Sequence, residues 1–361
     1  MRTWIGIAAS FGVAGLLGVL HYTDASAVLQ FVVGIVALAL LAWTVGVGTE
    51  VVASRFGPAA TGVIQSTLGN LPELFIVVFA LRAGELVVAQ TSILGSLLAN
   101  ALLVLGLAIV AGAVRSEDGV MRFQRRLPND TTMLLMLVVF MIAIISTSLS
   151  LGDRAADNAE TISVIGAVLI LCVYGAWLAN YLRADAGQEP AIEGHEAPPI
   201  AFGAGLVVLA VAGVAVLALA GVAAAFTSDW FVAVIDPATE ELGISKAFTG
   251  LVIVAIAGNA VENVVGIQLA WKRRYDLAVS VVKNSVAQIA AFLYPALVLI
   301  SMLFSTRLTF GLPNTGLVLV VALVFAALAI WQITGDGEAA AYEGLALVAT
   351  YALLATVVWF E

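Results

Sequence analysis

Eleven apolar segments follow one another along the chain, near residues 3–21, 27–49, 58–81, 86–113, 129–150, 160–182, 200–226, 244–271, 277–304, 315–333 and 340–360. No other feature constrains the fold as tightly. Each segment is close to the ~20 residues an α-helix needs to cross the hydrocarbon layer of a bilayer. In that layer the backbone has to satisfy its own hydrogen bonds, which a helix does within one segment. With 62% hydrophobic and 11% charged residues, the chain has too little polar surface for a soluble domain. The expected fold is an all-α, multi-pass integral membrane protein of about eleven transmembrane helices, with the lipid bilayer as its main partner.

The segments divide into a first helix and two sets of five. Arg2, the apolar run to Leu20 and Ala25-Ser26-Ala27 loosely imitate a signal peptide. The run is long for a signal and its basic start is thin, so residues 1–26 are read as a retained extra helix. The most polar interruption, Arg183 to Pro199, carries Asp185, Glu189, Glu193, His195 and Glu196. It separates residues 27–183 from 200–361, with 184–199 as an acidic linker. Five helices is an odd number, so the second set enters the membrane upside down relative to the first. Orientation follows from lysine and arginine. Arg2, Arg55, Arg115, Arg122, Arg125, Arg126, Arg183, Lys272, Arg273 and Arg274 fall on one side; Arg82, Arg154, Lys246 and Arg307 fall on the other. The N-terminus is therefore expected in the cytoplasm and the C-terminus opposite. The net charge of −9 says little about partners, and no basic run or aromatic platform points to nucleic acid. A homo-oligomer is compatible with the sequence. Cys172, the single cysteine, excludes a disulfide within the chain and is expected to be a buried, inert thiol.

Two stretches answer each other across this division: Gly69-Asn70-Leu71-Pro72-Glu73 and Gly258-Asn259-Ala260-Val261-Glu262. An ionisable residue at membrane depth is costly, and its presence points to function. Asn and Glu three positions apart share a helical face, so each copy sets a carboxylate beside an amide oxygen. The glycines and Pro72 can loosen a helix and free carbonyls for ligation.

Polar stripes follow each motif. Ser92, Ser96 and Asn100 lie four apart on an otherwise apolar helix; Asn284 and Gln288, with Ser285 beside them, form the counterpart. Carboxylates, amide carbonyls and hydroxyls are hard oxygen donors of the kind calcium takes in sixes to eights. Two buried carboxylates neutralise one divalent cation, and protons can replace it when it leaves. The competing reading is packing, since small and hydroxyl-bearing residues let membrane helices approach closely. It suits a lone Ser or Gly better than Glu73 or Glu262. Lys283, inside a span, has two readings: it snorkels to the headgroups, or it pairs with Glu262 or Glu73 when the cation is absent.

These stretches resemble the two alpha-repeats of the calcium/cation antiporter superfamily, most closely its calcium/proton exchanger branch. The first matches at Thr61-Gly62, Gly69-Asn70, Pro72-Glu73-Leu74, Gln90, Ser92, Gly95-Ser96, Asn100, Leu103 and Gly106. The second matches at Glu240-Glu241-Leu242-Gly243, Gly250-Leu251, Gly258-Asn259-Ala260, Glu262, Asp276-Leu277-Ala278, Ser285, Gln288 and Pro295. Asp336-Gly337-Glu338 and Tyr342-Glu343-Gly344 are similar to the family's last loop. The resemblance implies that Glu73 and Glu262 bind the cation, with Asn70, Asn259, Ser92, Ser96, Asn100, Ser285 and Gln288 completing the site. It also implies an acidic cytoplasmic helix at the linker, where Pro190, Pro198 and Pro199 favour a solvated loop instead. The chain departs from the pattern at Asn263, where the family has His, and at Lys283 and Asn284, all expected to modulate ion choice.

The expectation is a secondary antiporter that expels calcium in exchange for protons and needs no cofactor. A sodium or other monovalent cation/proton antiporter is the alternative. A channel would require a continuous polar pore, whereas the polar stripes cluster at mid-depth. An enzyme would require a nucleophile–base pair or a nucleotide loop, and the spans hold neither.

Overall fold

The structure, a computed structural model, describes residues 2–53, 69–124, 126–185, 204–312 and 316–360. Twelve helices are named in chain order: α1 (Arg2–Tyr22), α2 (Ala27–Ala53), α3 (Leu71–Ala83), α4 (Leu86–Arg115), α5 (Arg126–Leu151), α6 (Ala159–Asp185), α7 (Ala204–Leu242), α8 (Lys246–Gly258), α9 (Ala260–Trp271), α10 (Tyr275–Ser301), α11 (Gly316–Thr334) and α12 (Ala341–Trp359). Among the described residues nine helices are long and apolar enough to cross a membrane, and ten if α8 and α9, bent by 57° relative to each other, count as one broken span. The segment expected at 58–81 begins outside the described residues and ends as α3. Large apolar side chains such as Trp4, Phe140, Leu169 and Trp331 point outward, as they do where the surroundings are hydrocarbon.

Contacts at the helix ends fix the relative directions. Lys246, at the start of α8, pairs with Glu85 just past the end of α3 at 2.9 Å and with Asp236 of α7. α3 and α8 therefore run in opposite directions. At the other end of the molecule the Gln124 N–H, beyond α4, donates to Asp276 at the start of α10 at 2.7 Å. α4 and α10 are thus opposed as well. The same end carries a two-stranded ribbon, β1 (Val120–Arg122) against β2 (Glu338–Ala340), antiparallel with Met121 opposite Ala339. These are the directions two inverted five-helix repeats require.

α1, α2 and α7 pack together. Ser10 and Thr44 share a buried hydrogen bond of 2.6 Å between α1 and α2, and Phe31 stacks on Phe231 between α2 and α7. α7 then lies against α3, and α2 lies against α8 and α9, so this unit faces both Gly-Asn-x-x-Glu helices. α4 and α8 cross where Gly95 and Gly250 meet: a Cβ on Gly95 would collide with the Leu251 carbonyl, and one on Gly250 with the Thr91 hydroxyl. Three spans contain a π-helical segment, Ala99–Val104 in α4, Thr249–Val254 in α8 and Ile289–Leu293 in α10. Such segments displace backbone carbonyls from the regular ladder and recur at functional sites. In α8 the displaced Leu251 carbonyl accepts from the Tyr351 hydroxyl of α12 at 3.3 Å.

Three sequence expectations need correction or placement. The seventh helix, expected at 200–226, continues to Leu242 through Asp229 and Pro237. Phe231, Val232, Val234 and Ile235 remain buried there, so packing on α2 and α3 carries the helix past the acidic residues. Cys172 is exposed on α6, facing outward rather than into the core. The acidic linker lies outside the described residues apart from its first positions, Ala184 and Asp185, at the end of α6.

Candidate cation site

Both motifs break a helix in the same way. Asn70 sits at φ −84°, ψ 8° and Asn259 at φ −95°, ψ 18°, in the sparsely allowed bridge region between the helical and extended basins. A new helix starts after each. Asn70 and Asn259 occupy the cap position, and Glu73 and Glu262 both fall in the third helical position. Pro72 fits the first turn of α3 because no backbone N–H is needed there. A helix N-terminus favours negative charge, so each break stabilises an ionised carboxylate in the first turn beyond it. On the other side of the second break, α8 ends with its carbonyls turned toward the gap. Asn263 Nδ2 takes one of them, the Ile256 carbonyl, at 3.4 Å.

Glu73 is 1% exposed and reaches the opposite repeat. A Cβ on Gly258 would stand 2.5 Å from Glu73 Oε1, so only glycine lets this carboxylate lie against the second motif. The side chain of Glu262 lies outside the described residues.

A hydrogen-bond chain joins the repeats beside this contact. Asn259 Nδ2 donates to Ser96 Oγ at 2.8 Å and to the Ala255 carbonyl at 2.9 Å. Asn100 Nδ2 donates to Asn259 Oδ1 at 2.9 Å and to the Ser96 carbonyl at 3.0 Å. Asn100, Asn259 and Ser96 are all fully buried. The chain consumes its amide donors and leaves Asn100 Oδ1 over; the oxygens of Asn70 (Oδ1), Ser285 (Oγ) and Gln288 (Oε1) are likewise buried with no hydrogen bond. Buried polar groups are rarely left unpaired in native proteins. A set of orphans that are all oxygens has the chemistry of a hard-cation site.

The structure does not join every candidate to this chain. Ser92 turns its hydroxyl to the Ala89 carbonyl of its own helix, and Asn284 makes a long contact, 3.5 Å, with Ser280. Ser285 and Gln288 lie on one face of α10, which packs against the π segment of α4 that carries Asn100. Lys283 stands roughly opposite that face, at about 100° per residue. Its ammonium is buried and donates to Thr334 Oγ1 of α11 at 2.6 Å and Thr132 Oγ1 of α5 at 3.2 Å. Thr334 spends its own proton on the Ile330 carbonyl, so it presents a lone pair to the lysine. The ammonium thus sits within the protein, not among headgroups. Sequence reasoning missed Thr132 and Thr334, which carry no motif. Among the described residues no three His, Cys, Asp or Glu side chains cluster.

Two inverted helix breaks, with Glu73 of the first buried against Gly258 of the second, define a membrane carrier of cations built from two opposed repeats. The chain belongs to the sodium/calcium exchanger protein family, which matches residues 26–182 and 212–360. It is 30% identical to the Ca(2+)/H(+) antiporter ChaA of Bacillus subtilis (strain 168) over 367 residues, covering 98% of this chain and 97% of that one. It is 31% identical to the vacuolar calcium ion transporter of Schizosaccharomyces pombe over 331 residues, 90% of this chain and 77% of that protein. Among solved structures, native YfkE superposes with a TM-score of 0.79 at 27% identity, covering 99% of this chain and 100% of that chain.

Proposed function

We propose that the protein is a secondary active antiporter that exports calcium in exchange for protons by alternating access. Relatives matched over nearly their whole length carry the name Ca(2+)/H(+) antiporter. The observation that carries the reading in this chain is the set of buried oxygens without hydrogen bonds on Asn70, Asn100, Ser285 and Gln288, together with Glu73 lying against Gly258 of the opposite motif. Calcium is the substrate; the oxygens of Glu73, Glu262, Asn70, Asn100, Ser285 and Gln288 would receive it, with Asn259 and Ser96 holding Asn100 in place. Ser92 would support the same helix one turn away.

The exchange follows from charge. Two ionised carboxylates close together in a low-dielectric interior disfavour each other. One divalent cation neutralises both, and once it leaves, protons do so. Either form can pass through the switch between inward and outward access, whereas the doubly charged empty form rarely does. Because the carboxylates come from repeats of opposite direction, a shift of the α1–α2–α7 unit across α3, α8 and α9 would open one side as it closes the other. On the charge distribution, the N-terminus and the β1–β2 ribbon face the cytoplasm. A cysteine placed near Arg122 would then be labelled only from the cytoplasmic side, and one near Arg154 only from outside.

The test is uptake into inside-out vesicles under an imposed pH gradient, across calcium, manganese, sodium and potassium. Calcium uptake driven by an acidic lumen supports the reading; uptake of sodium or potassium without calcium would replace it with the monovalent exchanger.

A further inference from the structure

α6 turns most of its surface outward, and its buried face is the stripe Ser163, Ala167, Ile170 and Tyr174. Tyr174 is 5% exposed, at mid-span, with its ring 5.6 Å from both Trp177 and Phe292. Phe292 lies about one turn beyond Gln288 on α10, so the tyrosine rests against the face of α10 that carries Gln288. Its hydroxyl faces the Gln288 side chain. The two side chains interact through this hydroxyl, yet Gln288 Oε1 itself makes no hydrogen bond, and both it and the hydroxyl are buried. Ring packing alone would be served by phenylalanine, without the cost of burying a hydroxyl in an apolar surrounding.

We propose that Tyr174 is a positioning residue for Gln288, supporting its amide in both orientations that the transport cycle needs. A phenol both donates and accepts. With Gln288 Nε2 turned to the Tyr174 oxygen, Oε1 faces the site as a hard ligand. With the amide reversed, Oε1 accepts from the hydroxyl and the cation loses that ligand. The tyrosine keeps the amide partnered in either state, which lowers the barrier to releasing the cation without leaving a buried polar group bare. This inference rests on the role of Gln288 in the proposed cation site.

The test uses full-length protein in vesicles, with calcium-driven proton movement as the readout. Tyr174→Phe keeps the ring and removes only the oxygen, so folding is expected to be intact. It should raise the apparent KM for calcium about 5- to 10-fold, the size of one neutral hydrogen bond, with the maximal rate within about twofold. Gln288→Ala should raise KM as well, and the double variant should be no worse than Gln288→Ala alone, because the tyrosine acts through the amide. An unchanged KM in Tyr174→Phe, while Glu73→Gln is inactive, overturns the positioning role and leaves the cation site standing. Additive effects of the two substitutions also overturn it, since packing would act independently of Gln288. Normal transport by Glu73→Gln overturns the site and this inference with it.

Discussion

The two Gly-Asn-x-x-Glu motifs share a backbone and differ in what their side chains do. Both asparagines sit in nearly the same bridge conformation, and both glutamates fall three positions into the following helix. Yet Asn259 is bound through both ends of its amide, to Ser96 and Asn100 of the opposite repeat, whereas Asn70 Oδ1 is buried without a hydrogen bond. The stripes differ likewise. Ser96 and Asn100 on α4 are tied into the chain with Asn259, with only Asn100 Oδ1 left over, while Ser285 and Gln288 on α10 both present bare oxygens. Inverted symmetry thus sets the geometry of the breaks, while the side chains differ: one asparagine is tied into the centre, and the other, like Ser285 and Gln288 on α10, keeps an oxygen without a hydrogen bond.

Substitutions can break or sharpen that contrast. The largest effect belongs to the carboxylates. Glu73→Gln and Glu262→Gln should each reduce calcium-driven proton movement at least 100-fold in vesicles, while the proteins remain folded and inserted, since neutral glutamine imitates the protonated form. Next come the asparagines. Asn259→Ala should weaken calcium affinity and also cost about 1–2 kcal/mol of stability, seen as a lower melting temperature in detergent, because it strips buried partners from Ser96 and Asn100. Asn70→Ala should weaken affinity comparably and leave the melting temperature nearly unchanged. Equal stability losses in the two variants would erase the distinction between brace and ligand. A smaller effect is expected from Gly258→Ala, whose Cβ would push the Glu73 carboxylate away from the second motif. The clash is with the far end of a flexible side chain, so the carboxylate gives way rather than the fold: the apparent KM should rise several-fold with a nearly normal melting temperature.

Lys283→Leu is expected to change affinity least. The ammonium serves Thr132 and Thr334 behind α10, so its loss should lower thermal stability while KM stays within about twofold. A tightening of calcium binding by tenfold, with a steeper pH dependence, would instead restore direct pairing of Lys283 with a site carboxylate.

Much of this was legible in the sequence, for reasons that also mark its limits. The spans and the inverted division could be read because a bilayer forces long apolar helices and because five is odd. The motifs stood out because a carboxylate at membrane depth has no packing purpose. The helix breaks were only partly legible: Gly69, Gly258 and Pro72 mark where a helix can loosen, but nothing in the sequence says that Asn70 and Asn259 take the bridge conformation. The π segments were not legible, since they arise where α4, α8 and α10 meet other helices. The extent of α7 was misread because Asp229 and Asp236 look like the end of a span until the burial of Phe231 and Ile235 is known. Lys283 was read through its sequence neighbours, whereas its threonines lie 151 and 51 residues away.

The central claim is that calcium and protons compete for the same pair of carboxylates, one from each repeat. The most direct measurement is calcium binding to the purified protein by calorimetry in buffers of different ionisation enthalpy, which counts the protons released per calcium bound. Close to two protons should be released near neutral pH, falling in Glu73→Gln together with the affinity. Tight calcium binding with no proton release, or release unchanged in Glu73→Gln, would contradict it.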